Sequence, residues 1–336
     1  MSHRTFAEMT QHYPGCQWSF PADVFLSDLG VPAPSFRLLP GACVFTVGSC
    51  FARTIEEALH DRGFVIPMLD FGVPKEEYPF RPNGILNRYT VSTIDQTFAW
   101  AESIQCGLPF AQATEPFLLP ADSGIIDIDL AAFAPVSEGR AWARRKEMLA
   151  VWRRAFEADV VVLTLGQHET WLFEDRGLVW GNTPGRRECA PYWSRTRFLQ
   201  LPFNELLATV VRTMERIRRY NPRADFLITV SPVPAERYFN GQDALTSYWS
   251  SKSLLRSVAA AVCEKVERTD YFPAFELVHA GGRSSWKEDG MHVRHEVVHR
   301  IIARLLEAYA EAPTEPAQTP SPSDEDAVPP SEPARM

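Results

Sequence analysis

Three apolar, β-branched runs limit what this chain can fold into. They cover residues 42–47, 159–165 and 225–230, and they stop at Gly48, at Gly166 and at Ser231-Pro232. Runs that are apolar at nearly every position are typical of parallel strands covered on both faces. Between them, apolar residues recur at helical spacing. We predict helices over residues 54–62, 138–157, 202–220, 250–267 and 295–312. Strands alternating with such helices predict an α/β fold, a three-layer α/β/α sandwich with a mostly parallel sheet.

Other segments depart from this alternation. A weaker strand is predicted over residues 271–278, where Pro273 favours an edge position or a bulge. Residues 68–90 are rich in Pro, Gly and aromatic residues, which indicates a long loop that covers the site. Residues 171–193 contain three glycines and two prolines, and we predict an insertion of short strands and turns there.

The two ends of the chain differ from its middle. We predict an N-terminal extension over residues 1–38, an α/β domain over residues 39–312 and a disordered tail over residues 313–336. Seven prolines occur in the twenty-four residues of that tail, without apolar periodicity. The tail carries a net charge of −4, which leaves only −4 of the total −8 for the rest of the chain.

The charge and the cysteines exclude several classes of protein. The net charge of the chain outside the tail is only about −4. This value argues against nucleic-acid binding, because that function needs a basic surface. The six cysteines form no C-x-x-C pair and have no His at ligand spacing, so we expect a reducing compartment and neither a disulfide framework nor a cysteine zinc site. No signal-peptide core and no apolar run of eighteen residues occur. We therefore expect a cytoplasmic location and no membrane association.

The turn after the first predicted strand is Gly48-Ser49-Cys50-Phe51-Ala52. A residue on this turn lies at the carboxyl end of a strand and the positive end of a helix, near backbone N–H groups that can hold an oxyanion. Gly166 and Ser231 follow the other two strands. Ligands bind at this edge of parallel sheets, so we predict a site there with Ser49 as a nucleophile.

An activated Ser needs a base and a group that orients the base. Asp289-Gly290-Met291-His292, near the end of the predicted domain, provides both. With a spacing of three residues on a turn, Asp289 accepts a bond from Nδ1 of His292 and leaves Nε2 for Ser49. This is the serine–histidine–aspartate arrangement, which is recognised by roles rather than by order in the chain.

Alternatives remain open at each position. Ser49 is also a good helix N-cap residue, and Cys50 is an alternative nucleophile for His292, although free Cys is often buried. His295-Glu296-Val297-Val298-His299 spells the zinc-protease pattern H-E-x-x-H, but the metzincin extension is absent. Arg53, one turn after Ser49, is either an ordinary helix-face residue or a contact for an anionic substrate. We predict no metal and no cofactor.

The pentapeptide Gly48-Ser49-Cys50-Phe51-Ala52 is the signature of the GSCFA domain family, which the chain resembles over residues 39–305. The family resembles a branch of the SGNH/GDSL-type hydrolases, whose catalytic Ser lies in an N-terminal block and whose Asp and His lie in a C-terminal Asp-x-x-His block. Residues 289–292 match that second block. Residues 87–90, 164–171 and 231–234 also resemble the family. The resemblance implies an SGNH/flavodoxin-like fold and a catalytic set of Ser49, Asp289 and His292.

One departure concerns the oxyanion hole. SGNH enzymes usually have Gly-x-Asn after a middle strand, whereas this chain has Gly166-Gln167-His168-Glu169. The candidates to replace the Asn are Gln167, His168 and Asn87, together with the backbone N–H groups of Ser49 and Cys50. Glu169 and His168, taken singly, also suit a structural hydrogen-bond network.

Together, the resemblance and the residues predict a serine esterase that works through an acyl-Ser49 intermediate. The predicted substrate is an O-acylated carbohydrate or a similar ester. The same residues would serve an O-acyltransferase with a glycan acceptor. A non-catalytic glycan- or partner-binding module on the same scaffold is the third hypothesis. Flat aromatic faces suit sugar rings, and the candidates for such a surface are Trp171, Trp180, Trp193 and Trp249, although core packing explains single aromatics equally well. The sequence leaves the oligomeric state open.

Overall fold

The computed structural model describes residues 34–309. Its strands, β1 to β9 in chain order, are Val44–Val47, Leu118–Ala121, Gly124–Asp127, Val160–Leu165, Glu169–Phe173, Leu178–Val179, Thr196–Gln200, Asp225–Val230 and Thr269–Tyr271. Its α-helices, α1 to α8, are Cys50–His60, Val91–Gln105, Phe110–Thr114, Glu138–Trp152, Phe203–Tyr220, Ala244–Lys265, Ala274–Ala280 and His295–Tyr309.

A four-stranded parallel sheet in the order β1-β4-β8-β9 forms the centre of the fold. Val44 lies opposite Val160, and Val160 lies opposite Asp225, so the first three strands are in register. Beyond β1, Val65 adds a single parallel bridge and exchanges backbone hydrogen bonds with residues 42 and 44. The order of segments is then Val65, β1, β4, β8, β9, which is the flavodoxin-like doubly wound order. Its topological switch point lies between β1 and β4, and ligands bind at the carboxyl ends of the strands there.

Each face of the sheet is covered by its own apolar core. Alternate residues of the strands point to opposite faces. Phe45 and Val161 belong to the core shared with α2, α4, α5 and α6, whereas Val44 and Val160 belong to the core shared with α1, α7 and α8. The predicted α/β sandwich with a parallel sheet is therefore confirmed, and burial on both faces explains why the strands are apolar throughout.

The predicted strand over residues 271–278 is wrong except at its first residue. The edge strand β9 ends at Tyr271, and residues 274–280 form α7. Pro273 has no N–H for the ladder, so it ends the strand, and it immediately precedes α7. The edge position itself is confirmed.

Several predicted boundaries also move. Helix α1 begins at Cys50 rather than at residue 54, α4 ends at Trp152 and continues as a short 3-10 turn, and α6 begins at Ala244 after the N-cap Asp243. Helix α2 is absent from the sequence prediction; it follows the predicted loop, and Thr90 and Thr93 form its capping box. The end of the last predicted helix, residues 310–312, lies outside the described residues.

The two insertions have simple forms. Residues 68–90 are irregular apart from the 3-10 turns Pro67–Asp70 and Pro82–Leu86. The insertion of short strands is confirmed as an antiparallel sheet in the order β6-β5-β7. Strands β2 and β3 form a separate antiparallel pair.

The ends of the described part pack together. Phe36 and Leu38 are buried, the ring of Phe36 lies 5.0 Å from that of Tyr309, and the Leu38 N–H donates to the Tyr309 carbonyl at 2.8 Å. Residues 1–33 of the predicted extension and residues 313–336 of the predicted tail lie outside the described residues. Between residues 34 and 309, no helix is both long and apolar enough to cross a membrane.

Candidate active site

The turn at Gly48 joins β1 to α1 at the switch point of the sheet. A Cβ atom at Gly48 would lie 2.6 Å from Cβ of Thr164 and 2.8 Å from its carbonyl oxygen, so only Gly lets the turn pack this closely on β4. On the other side, the N–H of Arg88 donates to the Gly48 carbonyl at 2.8 Å. The turn is therefore fixed between β4 and residues 87–90, and the first residues of α1 have a defined direction.

Ser49 occupies the N-cap position of α1, but its side chain makes no capping hydrogen bond. Its side chain is buried, with 5% of the residue exposed, and Oγ lies 3.3 Å from Oγ of Ser231. Ser231 follows β8 and also accepts a bond from the N–H of Val233 at 3.3 Å. The Ser49 hydroxyl thus faces a second neutral hydroxyl inside the fold.

Asp289 and His292 form the predicted pair. His292 Nδ1 lies 2.7 Å from Oδ2 of Asp289, and Oδ1 of Asp289 accepts the backbone N–H groups of Met291 and His292 at 2.9 and 3.0 Å. These bonds, the two backbone N–H groups first, hold the pKa of Asp289 well below its usual range. Gly290 makes the turn possible with a φ of +69°. The side chains of His292 and Asp289 are 51% and 45% exposed, so the pair faces solvent.

Cys50 and Asp289 both influence the titration of His292. The interaction with Cys50 is the first cause that raises the pKa of His292 to about 9, and the bond with Asp289 is the second. Because Asp289 takes Nδ1, we assign Nε2 to the side facing Cys50. None of the hydrogen bonds among residues 34–309 joins His292 to Ser49 or to Cys50, and the side-chain bond of His292 is to Asp289.

The catalytic set of Ser49, Asp289 and His292 stays a prediction. Successive residues at the start of a helix point about 100° apart. The Ser49 side chain lies against Ser231 after the end of β8, whereas Cys50, the first residue of α1, is partly exposed. The two residues are neighbours in the chain, but they lie on different sides of the turn.

The candidates for an oxyanion hole lie beside this turn. The N–H groups of Cys50 and Phe51 belong to the first turn of α1, where N–H groups have no intrahelical acceptor. Asn87 is buried; its amide nitrogen donates to the hydroxyl of Tyr89 at 3.2 Å, and its Oδ1 has no partner among the described residues. The backbone N–H groups are thus the donors nearest to the Cys50 thiol.

Gly166 and Gln167 connect the end of β4 to residues 89–91. A Cβ atom at Gly166 would lie 2.3 Å from the carbonyl oxygen of Tyr89, so this position also needs Gly. Gln167 forms a parallel bridge with Thr90, and its carbonyl accepts the N–H of Val91 at 3.3 Å. Both residues therefore hold the backbone of residues 87–91 against the switch point.

His168 and Glu169 are buried away from the imidazole of His292. His168 Nδ1 lies 2.9 Å from Oγ of Ser251 on α6, and burial lowers its pKa. Glu169 accepts a bond from Gln200 on β7 at 3.1 Å, and burial raises its pKa. The observed hydrogen bonds of both residues are those of a structural network.

A small pocket lies after the end of β4, and Tyr89 is one of its lining residues. Neither Cys50 nor His292 lines this pocket. The other lining residues combine polar groups with aromatic rings: Thr90, Gln167, Glu169, Thr170, Trp171, Trp180, Asn182, Thr183, Arg237 and Phe239. Two of the four predicted sugar-binding Trp residues, Trp171 and Trp180, thus line one pocket.

The other predicted aromatics lie elsewhere. Trp193 donates through Nε1 to the carbonyl of Pro184 at 2.6 Å. Trp249 packs on the His279 ring at 4.8 Å. Arg53 is buried and pairs with Glu56 at 2.9 Å, so it belongs to the interior rather than to an open anion site.

His295 and His299 lie on α8, with His295 exposed. Across residues 34–309, no group of three or more His, Cys, Asp or Glu side chains is arranged to hold a metal ion. The H-E-x-x-H pattern therefore acquires no third ligand from the described part of the chain.

Two residues of the site do not follow from sequence reasoning. Ser231 stands out in the sequence as the residue after the third strand and as part of the family resemblance, but not as the partner of Ser49. Lys252 does not stand out at all, although it is buried on α6 and donates to the Gly166 carbonyl at 2.7 Å. One sequence feature could have pointed to this residue. Lys252 lies on the apolar face of a predicted helix, one turn after Tyr248 and one turn before Leu255.

A comparison with models of protein families finds a match over most of the chain. The model of the GSCFA family matches residues 43–305, which is more than half of the chain, so the protein belongs to the GSCFA family. No curated protein matches it.

Two solved structures are similar to the chain. The first is described as "a putative platelet activating factor from Streptococcus pneumonia"; it matches at 12% identity over 80% of this chain and 84% of its own, with a TM-score of 0.36. The second matches at 14% identity over 45% of this chain and 64% of its own, with a TM-score of 0.26.

Proposed function

We propose that this protein is an acyl-transfer enzyme, an ester hydrolase in which Cys50 is the nucleophile, His292 the general base and acid, and Asp289 the group that orients His292. The observation that supports it is the hydrogen bond of His292 Nδ1 to Asp289 at 2.7 Å, together with the partial exposure of Cys50, whose interaction with His292 raises the pKa of the imidazole. A nucleophile, a base and an orienting carboxylate in hydrogen-bond contact are the chemical requirements of covalent acyl transfer.

The first half of the reaction forms a thioester. The imidazole takes the proton of the Cys50 thiol, and the thiolate attacks the carbonyl carbon of the ester. The negative charge that develops on the carbonyl oxygen is stabilised by the N–H groups at the start of α1. His292 then gives its proton to the departing alcohol, which leaves an acyl group on Cys50.

The second half returns the enzyme to its starting state. His292 takes a proton from water, the resulting hydroxide attacks the thioester, and the released Cys50 thiolate recovers the proton. Because the side chain of His292 is half exposed, water reaches the base directly, which favours hydrolysis over transfer. Asp289 accepts a hydrogen bond from the Nδ1–H of His292 throughout and so orients Nε2 for the proton transfers.

The proposed substrate is a hydroxyl-rich ester such as an O-acylated carbohydrate, and the pocket after the end of β4 is the candidate site for its sugar ring. Its walls offer two aromatic rings, Trp171 and Phe239, together with amide and hydroxyl groups. The Thr170 hydroxyl is buried in this region and lacks a partner among the described residues. Aromatic faces with a few polar groups suit a sugar ring.

The test is turnover of p-nitrophenyl acetate by the full chain and its variants. We expect Cys50→Ala to lower kcat/KM at least about 10³-fold, as for other activated nucleophiles. Ser49→Ala should stay within about threefold of wild type, because the side-chain hydrogen bond that Ser49 makes among residues 34–309 is to the neutral hydroxyl of Ser231. Cys106→Ala, at an exposed cysteine, is the matched control. Loss of activity in Ser49→Ala with activity kept in Cys50→Ala would overturn the assignment.

The acceptor is tested in the same assay. With acetylated sugars as donors and free glycans as acceptors, hydrolysis predicts acetate as the main product. A glycan that gains the acetyl mass faster than acetate appears would make the protein an O-acyltransferase with the same nucleophile.

A further inference from the structure

One wall of the pocket after β4 comes from the connection between β8 and α6. Residues 231–243 form this connection, and Arg237 and Phe239 within it line the pocket. The ring of Phe239 lies 4.9 Å from that of Trp171 on β5 and 6.0 Å from that of Phe198 on β7. The connection therefore extends from the parallel sheet to the small antiparallel sheet, and the pocket lies between them.

Hydrogen bonds fix this connection on both sides of Arg237. The hydroxyl of Tyr238 accepts the N–H of Ala235 at 3.2 Å. Oδ1 of Asn240 accepts the hydroxyl of Ser247 on α6 at 2.9 Å. Because these bonds flank Arg237 in the chain, its backbone has a defined position beside the pocket.

The guanidinium of Arg237 is the basic group among the side chains that line the pocket. It is exposed, and it makes no ion pair or hydrogen bond with any residue between 34 and 309. Two other arginines of the insertion, Arg195 and Arg197, are paired with Asp175 and Glu174 at 2.6 and 2.8 Å. An unpaired guanidinium offers a planar set of N–H donors that matches the oxygens of a carboxylate or a phosphate.

Two buried side chains of the same pocket offer free oxygen atoms. Glu169 is 6% exposed, and its Oε1 accepts a bond from Gln200 at 3.1 Å, whereas none of the hydrogen bonds within residues 34–309 reaches its Oε2. The hydroxyl of Thr170, a residue that is 2% exposed, also lacks a partner in that part of the chain. Burial raises the pKa of Glu169, which disfavours its charged form and weakens its repulsion of an anion at Arg237. Unpaired polar groups in a buried position are costly, so a ligand with hydroxyl groups would satisfy them.

We propose that the pocket binds an acidic sugar and that Arg237 selects its carboxylate or phosphate group. The rings of Trp171 and Phe239 then contact the face of the sugar, and Glu169 and Thr170 bind its hydroxyl groups. The proposal rests on the proposed function in one respect, namely that this sugar is the part of the ester substrate that carries the acyl group.

The test compares glucose, glucuronate and glucose 6-phosphate, which share one ring and differ only at the group on its sixth carbon. Ligand-detected NMR titrations of the full chain at one ionic strength give the three dissociation constants. We expect one of the two acidic sugars to bind at least about tenfold more tightly than glucose, because hydrogen bonds to charged groups are stronger than neutral ones. The tighter of the two identifies the anion as a carboxylate or a phosphate. Equal affinity for all three sugars, or binding of none, would overturn the proposal.

Three variants separate selection by charge from general binding. Arg237→Gln keeps a polar side chain at an exposed position, so it should bind the acidic sugar and glucose within about twofold of each other. Arg197→Gln, on β7 and outside the pocket lining, is the matched control and should keep the wild-type preference. Phe239→Ala should weaken all three sugars alike, because an aromatic face does not distinguish their charges. A wild-type preference in Arg237→Gln would overturn the role of Arg237.

The outcomes also separate this proposal from the proposed function. Free sugars carry no acyl group, so their binding does not depend on which residue is the nucleophile. Loss of the acidic preference with p-nitrophenyl acetate turnover intact would reject the role of Arg237 and keep the esterase. An acidic preference in a chain without that turnover would keep the role of Arg237 in ligand binding and reject the esterase.

Discussion

The two residues that follow Gly48 on its turn, Ser49 and Cys50, differ in their exposure and in the groups with which they interact. On one side, the hydroxyl of Ser49 is buried against the hydroxyl of Ser231, with no charged group in its hydrogen bonds. On the other, Cys50 is partly exposed, and its interaction with His292 is the first cause of the raised pKa of the imidazole. One residue along the chain thus separates a buried hydroxyl from a partly exposed thiol.

The largest effect after loss of the nucleophile should come from His292. His292→Gln removes the base that activates Cys50 and the acid that protonates the leaving alcohol, and general acid–base catalysis of this kind contributes about 10²- to 10⁴-fold. We expect kcat for p-nitrophenyl acetate to fall by that factor while the fold is kept, because His292 lies on an exposed loop. His295→Gln, on the exposed start of α8, is the control. A variant that keeps full activity would show that the Cys50 side of the turn needs no base.

A smaller effect is expected for Asp289→Asn. The substitution removes a charged acceptor of the Nδ1 proton, and hydrogen bonds to charged groups are worth about 1.5–3 kcal/mol, which corresponds to about 10- to 100-fold in rate. Steady-state kinetics should show this loss mainly in kcat, because Asp289 contacts His292 and not the substrate. A loss as large as that of Cys50→Ala would contradict a purely orienting role.

The sequence defined the fold more fully than the site. The three apolar strands were predicted within one to two residues, because burial on both faces leaves a strong pattern. Helix α2 and the end of β9 were not, since Thr90 and Pro273 act through local backbone geometry that apolar spacing does not reveal. The Asp289–His292 pair was predictable because its geometry is local to one turn.

The partner of that pair was not predictable from local pattern. Ser49 and Cys50 both fit the turn, and the choice between them depends on contacts with residues about 180 and 240 positions away, Ser231 and His292. The helix start, placed at residue 54 from apolar spacing, lies at Cys50, and this shift decides which side chain faces outwards. Lys252 was missed for the same reason, because its hydrogen bond is to the carbonyl of Gly166 across the fold.

Substitutions on the Ser49 side of the turn should change the activity only slightly. Ser231→Ala removes one neutral hydroxyl pair at 3.3 Å, so we expect activity within about threefold of wild type and a loss of about 1 kcal/mol in the free energy of unfolding. Urea unfolding and esterase kinetics on the same preparation measure both. A large loss of activity without loss of stability would instead support Ser49 as the nucleophile.

The smallest effect concerns stability against pH. The folded-state pKa of His292 is raised from its ordinary 6.5 to about 9, so its contribution to stability is fully present below about 6.5 and is lost as the pH rises through about 9. The urea midpoint of His292→Gln should therefore fall further below wild type at pH 6 than at pH 9.5. The difference should be slight, because solvent screens a half-exposed pair. An equal difference at both pH values would contradict the raised pKa.

The most direct measurement is the identity of the acylated atom. The full chain is mixed with p-nitrophenyl acetate, quenched in acid within the first turnover, digested, and the peptide containing residues 48–52 is sequenced by mass spectrometry. An acetyl group on Cys50 that is released by hydroxylamine at neutral pH, as a thioester is, is the expected result. An acetyl group on Ser49, or an unmodified peptide during active turnover, would contradict the account.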